Sequence, residues 1–194
     1  MKDITLEQLK IDFEMFRDQC RLLVRTKNNF DSLYSDDSVK KILYASAKHF
    51  FDDLHRCLTE SYFLQVGRIT DSVSSFGKLN LSASYLVEKL DELGVLSTEI
   101  KLLSEKINTY RTATSSARNK YFAHLDLDAH REQLKLGGHS WDEMYEFQVN
   151  LNRFTDCVGK ALGCGPLDYS SSAGDGDVLT LIHILEKATK DQEN

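Results

Sequence analysis

The fold is indicated most clearly by residues 97–124, which read STEIKLLSEKINTYRTATSSARNKYFAH. Apolar residues recur there at alternating steps of four and three, the spacing that places side chains on one face of a packed helix. Ser97 or Thr98 suits the N-terminal end of such a helix. The next step of the pattern after the apolar residues falls on His124. The stripe consists of Ile100, Leu103, Ile107, Tyr110, Thr114, Ala117 and Tyr121.

The same spacing recurs on both sides of this stretch. It predicts further helices over about residues 5–34, from Asp36 or Asp37 to about residue 68, over about 82–93, from Ser140 to Leu162, and over 178–188. No stretch shows sustained period-two alternation, so no sheet is expected. The near-3.5 period suits helices packed about 20° from antiparallel. We therefore predict an all-α fold, an antiparallel up-and-down bundle of five to six helices.

Three of these helices carry specific predictions about burial. The expected stripe of the first is Leu6, Leu9, Phe13, Phe16, Cys20, Leu23, Lys27 and Phe30. That of the second is Leu43, Ala47, Phe50, Leu54, Cys57, Ser61 and Leu64, after which the next step falls on Arg68. That of the last is Val178, Leu181, Leu185 and Ala188. Arg68 and His124 thus stand where core side chains are expected, unless each helix ends there.

The domain organisation follows from composition along the chain. Residues 1–162 are predicted to form the bundle, and residues 163–177, rich in Gly, Ser and Asp, a flexible loop. Residues 178–194 then form a helix and tail packed on the same domain. The length of 194 residues is enough for a substantial core.

Charge and cysteine usage limit the classes of function. The formal net charge of −6 argues against a general nucleic-acid coat protein. Residues 100–124 nevertheless hold five cations and one anion, a local excess that permits RNA binding. Arg111 and Lys120 would then contact RNA, and the alternative is that these cations form a solvated helix flank. We expect a cytoplasmic protein with no membrane segment, since no export signal or spanning stretch is visible. The scattered cysteines are expected to be reduced and mostly buried.

Two short segments carry a family resemblance. Residues 117–126, ARNKYFAHLD, resemble the Arg-Asn-x4-His form of the motif that marks HEPN domains, here formed by Arg118, Asn119 and His124. The continuation to Asp126 is similar to the AbiU-type, abortive-infection branch of that superfamily. GRITD at residues 67–71, followed by NLS at residues 80–82, is similar to a second stretch of the same branch.

The resemblance implies a helical bundle that dimerises and, in many members, a metal-independent endoribonuclease that needs no cofactor. It also implies a phage-defence or toxin–antitoxin setting with an antitoxin partner. His124 would move a proton and Arg118 would hold the phosphate. Six residues advance a regular helix by about 600°, so these two side chains point about 120° apart. Either a bend or a second copy of the chain is needed to bring them onto one phosphate.

Four further residues have weaker predicted roles. Asn119 either orients the site or lies on the helix surface, and Asp126 either supports the site or caps a following turn. Arg68 and Asp71 are interpreted as a local structural pair, although Arg68 could also assist the site. Some HEPN toxins carry a tyrosine two residues after the histidine, which an antitoxin modifies. Asp126 occupies that position here and argues against this form of control.

Two other functions stay open. Residues 124–130 alternate His124, Asp126, Asp128 and His130, which are oxygen and imidazole ligands for a metal phosphohydrolase. Alternation aligns them only on a strand, however, and this region lies between helices, so no metal site is predicted. The other alternative is a non-catalytic bundle that binds nucleotides or proteins, because a fold does not fix an activity.

Overall fold

The computed structural model describes residues 4–117, 140–166 and 176–192, and its helices confirm the all-α prediction. Within these residues the chain forms six helices and one short hairpin. The helices are α1 (Leu6–Tyr34), α2 (Asp37–Ile69), α3 (Ala83–Glu92), α4 (Thr98–Ala117), α5 (Trp141–Leu162) and α6 (Val178–Gln192). The strands are β1 (Ser74–Ser75) and β2 (Lys78–Leu79).

Helix α1 follows its predicted pattern closely. The Thr5 hydroxyl accepts a hydrogen bond from the Gln8 amide, which satisfies one of the amides left unpaired in the first turn. The apolar stripe from Leu9 to Leu23 is fully buried, whereas Leu6 is exposed. Two later helices are also capped at their N-termini. Ser82 caps α3, and Ser140 and Glu143 form a reciprocal capping box at α5.

Helix α2 departs from its predicted stripe. Ala47 has φ −160° and ψ 69°, so the helix is broken there and its helical phase restarts. Beyond the break the buried face is shifted by one residue. Phe51 is buried and Phe50 is exposed, and Ile69 is buried where Arg68 was expected. The prediction failed because it carried one period across the break. Helix α6 shows a similar shift, with Ile182 buried and Leu181 exposed.

The expectation of no sheet is corrected by the hairpin. Ser74 pairs with Leu79 and Ser75 with Lys78 in antiparallel register, around a two-residue turn at Phe76 and Gly77. Strands of two residues are too short to show an alternating pattern, so the sequence indicated only a loop here.

The chain divides into two compact units. The first comprises Met1–Leu22 and Phe63–Asp168. Within it the Tyr110 and Phe147 rings stack with centroids 4.5 Å apart, and Arg153 pairs with Glu99 at 2.9 Å. Glu99 near the start of α4 pairs with Arg153, whereas Tyr110 further along α4 meets Phe147, which precedes Arg153 on α5. The two helices therefore run antiparallel. The start of α1 joins them through an edge contact of the Phe16 and Phe154 rings.

The second unit comprises Leu23–Tyr62 and Tyr169–Asn194. Its described core contains Leu33, Tyr34, Leu43, Phe51 and Ile182. The Tyr34 hydroxyl donates a hydrogen bond of 2.7 Å to the carbonyl of Phe51. Burial raises the pKa of Tyr34 to about 12, so this hydroxyl keeps its proton and its role as a donor.

Candidate functional site

Helix α4 leads directly to the predicted catalytic pair. It ends at Ala117, immediately before Arg118. The predicted residues Arg118, Asn119, Lys120, His124 and Asp126 lie outside the described residues, as do Asp128 and His130 of the metal alternative. Their roles therefore stay predictions.

The second predicted segment, residues 67–71, forms the end of α2. The Thr70 hydroxyl donates a hydrogen bond of 2.7 Å to the carbonyl of Val66, which also accepts from the backbone amide of Thr70. Arg68 lies in the last turn and is exposed, and it has no ion pair or side-chain hydrogen bond with another described residue. The helix ends here, which explains why a charged residue follows the apolar stripe.

Arg111 joins this segment to α4. Its Nη1 donates 2.8 Å to the Thr70 carbonyl, and its Nη2 lies 3.1 Å from Oδ1 of Asp71. A guanidinium that makes two such bonds fixes both the distance and the orientation of the end of α2 relative to α4. Two of the Arg111 nitrogens are thus used inside the protein, while its predicted contact with RNA stays a prediction. The structure pairs Asp71 with Arg111 and shows no Arg68–Asp71 ion pair, which corrects the interpretation as a local pair.

A cleft of about 510 Å³ opens beside this junction. Its two carboxylates each have an arginine partner, since Asp18 pairs with Arg21 and Asp71 with Arg111. Arg68 is the one cation among the described residues that line the cleft. Its positive charge is not compensated by another described residue. The lining residues are Met15, Asp18, Gln19, Arg68, Asp71, Leu79, Asn80 and Leu81.

The NLS segment at residues 80–82 has a structural explanation. The side-chain amide of Asn80 donates to the carbonyl of Ser72 at 2.9 Å and to the Ser75 hydroxyl at 3.1 Å. These bonds close the base of the hairpin. The Ser82 hydroxyl accepts from the Tyr85 amide at 3.2 Å and begins α3. Asn80 and Ser82 therefore fix the two ends of the segment that forms this wall of the cleft.

Other groups that could carry chemistry are few among the described residues. No group of three or more His, Cys, Asp or Glu side chains there is placed to hold a metal ion. All four cysteines are free, as expected, but only Cys20 is buried and Cys57 is exposed. Burial raises the pKa of Cys157, which keeps that thiol protonated and unreactive.

Sequence reasoning missed two residues that line the cleft and one at the tip of the adjoining hairpin. Met15 and Leu79 are exposed apolar side chains on its wall, and Phe76 lies at the turn of the hairpin that supplies Leu79. The signal available for Phe76 was a Phe-Gly pair within a polar stretch, which is weaker than the Asn-Gly pair that usually marks a two-residue turn.

Comparison with known proteins agrees with the motifs. A family model described as AbiU2, of the HEPN type, matches residues 4–181. No match was found among curated proteins or among solved structures. None of the described helices combines the length and the hydrophobicity needed to cross a bilayer. Since the family model covers most of the chain and includes both motif segments, the protein belongs to the AbiU2 family of HEPN proteins.

Proposed function

We propose that the protein is a metal-independent endoribonuclease whose reaction depends on Arg118 and His124. One observation carries the proposal beyond family membership. Arg111 ties the end of α2 to α4 seven residues before Arg118. The first segment that resembles the AbiU-type branch, residues 67–71, is therefore tied to the helix that leads to the second, which supports a single site.

The chemistry uses the RNA itself as the nucleophile. His124 accepts the proton of the 2′-hydroxyl or donates one to the leaving 5′-oxygen, because an imidazole can serve as either base or acid near neutral pH. Arg118 holds the phosphate with two parallel hydrogen bonds and stabilises the charge of the transition state. Asn119 orients the phosphate or the imidazole. Attack of the 2′-oxygen on the adjacent phosphorus forms a 2′,3′-cyclic phosphate and releases a 5′-hydroxyl.

The proposed active form is a homodimer with α4 at or near the interface. Two copies would bring Arg118 and His124 together although they diverge on one regular helix. We expect light scattering to show a dimer at micromolar concentration. A monomer, with and without RNA, would contradict this part of the proposal.

The proposed setting is phage defence by abortive infection, or a toxin–antitoxin system with a cognate antitoxin, in the cytoplasm. A non-catalytic module that binds nucleotides or proteins is the second candidate, and the cleft that exposes Arg68 favours it. A cleavage assay separates these two functions.

The experiment is incubation of single-stranded RNA with the wild-type protein in excess EDTA. We expect cleavage at a rate equal to that without chelator, because neither Arg118 nor His124 needs a metal to act. Activity that EDTA abolishes and manganese restores would instead favour the metal alternative with His124, Asp126, Asp128 and His130. No cleavage under either condition would favour the binding module.

A further inference from the structure

Phe76 is unusual in two respects. It is fully exposed, and its φ of 50° lies in the left-handed region that non-glycine residues rarely adopt. Gly77 follows with φ 75°, so both central residues of the turn have positive φ, as the type I′ hairpin turn requires. That turn favours Asn, Asp or Gly at its first central position. A phenylalanine there is unfavourable both for the backbone and for contact with water.

The turn itself is held firmly by its neighbours. The backbone amide of Asn80 donates a hydrogen bond of 2.8 Å to the carbonyl of Val73, and its side-chain amide donates to Ser72 and Ser75. The hairpin is thus fixed at its base while its tip presents an aromatic ring. An aromatic ring that a fixed turn presents to solvent is placed where it can stack on a ligand.

The charges around the hairpin indicate an anionic ligand. Arg68 on the cleft wall and Lys78 beside the turn have no ion pair with another described residue. The carboxylates of Asp18 and Asp71 are already paired with arginines. In a chain with a net charge of −6, this surface is therefore a local exception.

We propose that the hairpin and Arg68 form a binding subsite for single-stranded RNA. Phe76 stacks on an unpaired base, and Arg68 holds a backbone phosphate at the cleft. Aromatic stacking combined with a cationic groove is the usual way that proteins bind single strands without reading their sequence. A duplex keeps its bases stacked on one another and so offers Phe76 no free face. The choice of RNA as ligand rests on the proposed function.

The test measures the affinity of the full-length protein for a labelled, unstructured 2′-O-methyl oligonucleotide, which cannot be cleaved by its own 2′-oxygen. The first variant is Phe76→Asn, which removes the ring but places a favoured residue in the turn, so the fold is retained. The second is Arg68→Gln. The control is Phe50→Ala, which removes an exposed phenylalanine from α2 in the second unit.

The two variants have different expected signatures. Phe76→Asn should weaken binding about 5- to 150-fold with little change in its salt dependence, because stacking is worth about 1–3 kcal/mol per base. Arg68→Gln should also weaken binding. It should make the negative slope of log affinity against log salt shallower by about 0.7, the value for one phosphate contact on a single strand. Phe50→Ala should bind as wild type does.

Unchanged affinity in both Phe76→Asn and Arg68→Gln would overturn the subsite and leave the hairpin as a surface for a protein partner. The same preparations are then tested on cleavable RNA. Cleavage that depends on His124, with affinity insensitive to Phe76, would support the catalytic function and reject the subsite. Affinity that depends on Phe76, in a protein that cleaves no RNA, would support the subsite and reject the catalytic function.

Discussion

Replacing His124 with alanine is expected to lower the rate of RNA cleavage by about 10²–10⁴-fold, the usual contribution of a general acid or base. Arg118→Lys should also remove most of the activity, because an ammonium group cannot make two parallel hydrogen bonds to a phosphate. Single-turnover cleavage of a labelled RNA with enzyme in excess measures both effects without interference from product release.

The matched control for this experiment is His183→Ala. His183 is an exposed histidine on α6 in the second unit, so its loss should leave both cleavage and folding unchanged. Equal rates for His124→Ala and wild type would show that His124 does no acid–base work. A rate that falls equally in His183→Ala would indicate a general effect of losing a histidine.

Replacing Phe147 with alanine is expected to destabilise the protein by about 3–5 kcal/mol. The side chain is 2% exposed and its ring stacks on Tyr110 of α4, so the variant loses burial and an aromatic contact together. Denaturant unfolding followed by circular dichroism measures the change. Because α4 leads to Arg118, loss of this packing should also reduce cleavage.

Tyr145→Ala supplies the comparison on the same helix. Tyr145 lies two residues before Phe147 and is 68% exposed. Its removal should change the free energy of unfolding by no more than about 0.5 kcal/mol. If the two variants were destabilised equally, the packing of α5 against α4 through Phe147 would be contradicted.

Much of the fold could be predicted because it depends on local spacing. The stripe from Leu9 to Leu23 and that from Ile100 to Thr114 are both buried as expected, since an unbroken helix keeps one phase. Where the backbone departs from that phase, the prediction fails. The break at Ala47 shifted the buried face of α2, and no residue type at that position marks it.

Less of the candidate site could be predicted because its contacts are distant in sequence. The Arg111–Asp71 pair joins residues 40 positions apart, and periodicity carries no information about such contacts. The sequence suggested the nearer partner, Arg68, because three positions along a helix place side chains close together. The exposed Phe76 was missed for another reason, since its position in the turn depends on a backbone conformation and not on a motif.

The proposed mechanism requires the 2′-hydroxyl of the RNA to be the nucleophile at a site formed by Arg118 and His124. Its most direct test is mass spectrometry of the ends produced from two matched oligonucleotides in excess EDTA. One has ribose throughout, and the other has 2′-deoxyribose at the nucleotide preceding the cut. We expect a 2′,3′-cyclic phosphate and a 5′-hydroxyl from the first, and no cut at the deoxy position of the second. Cleavage at the deoxy position would contradict the mechanism.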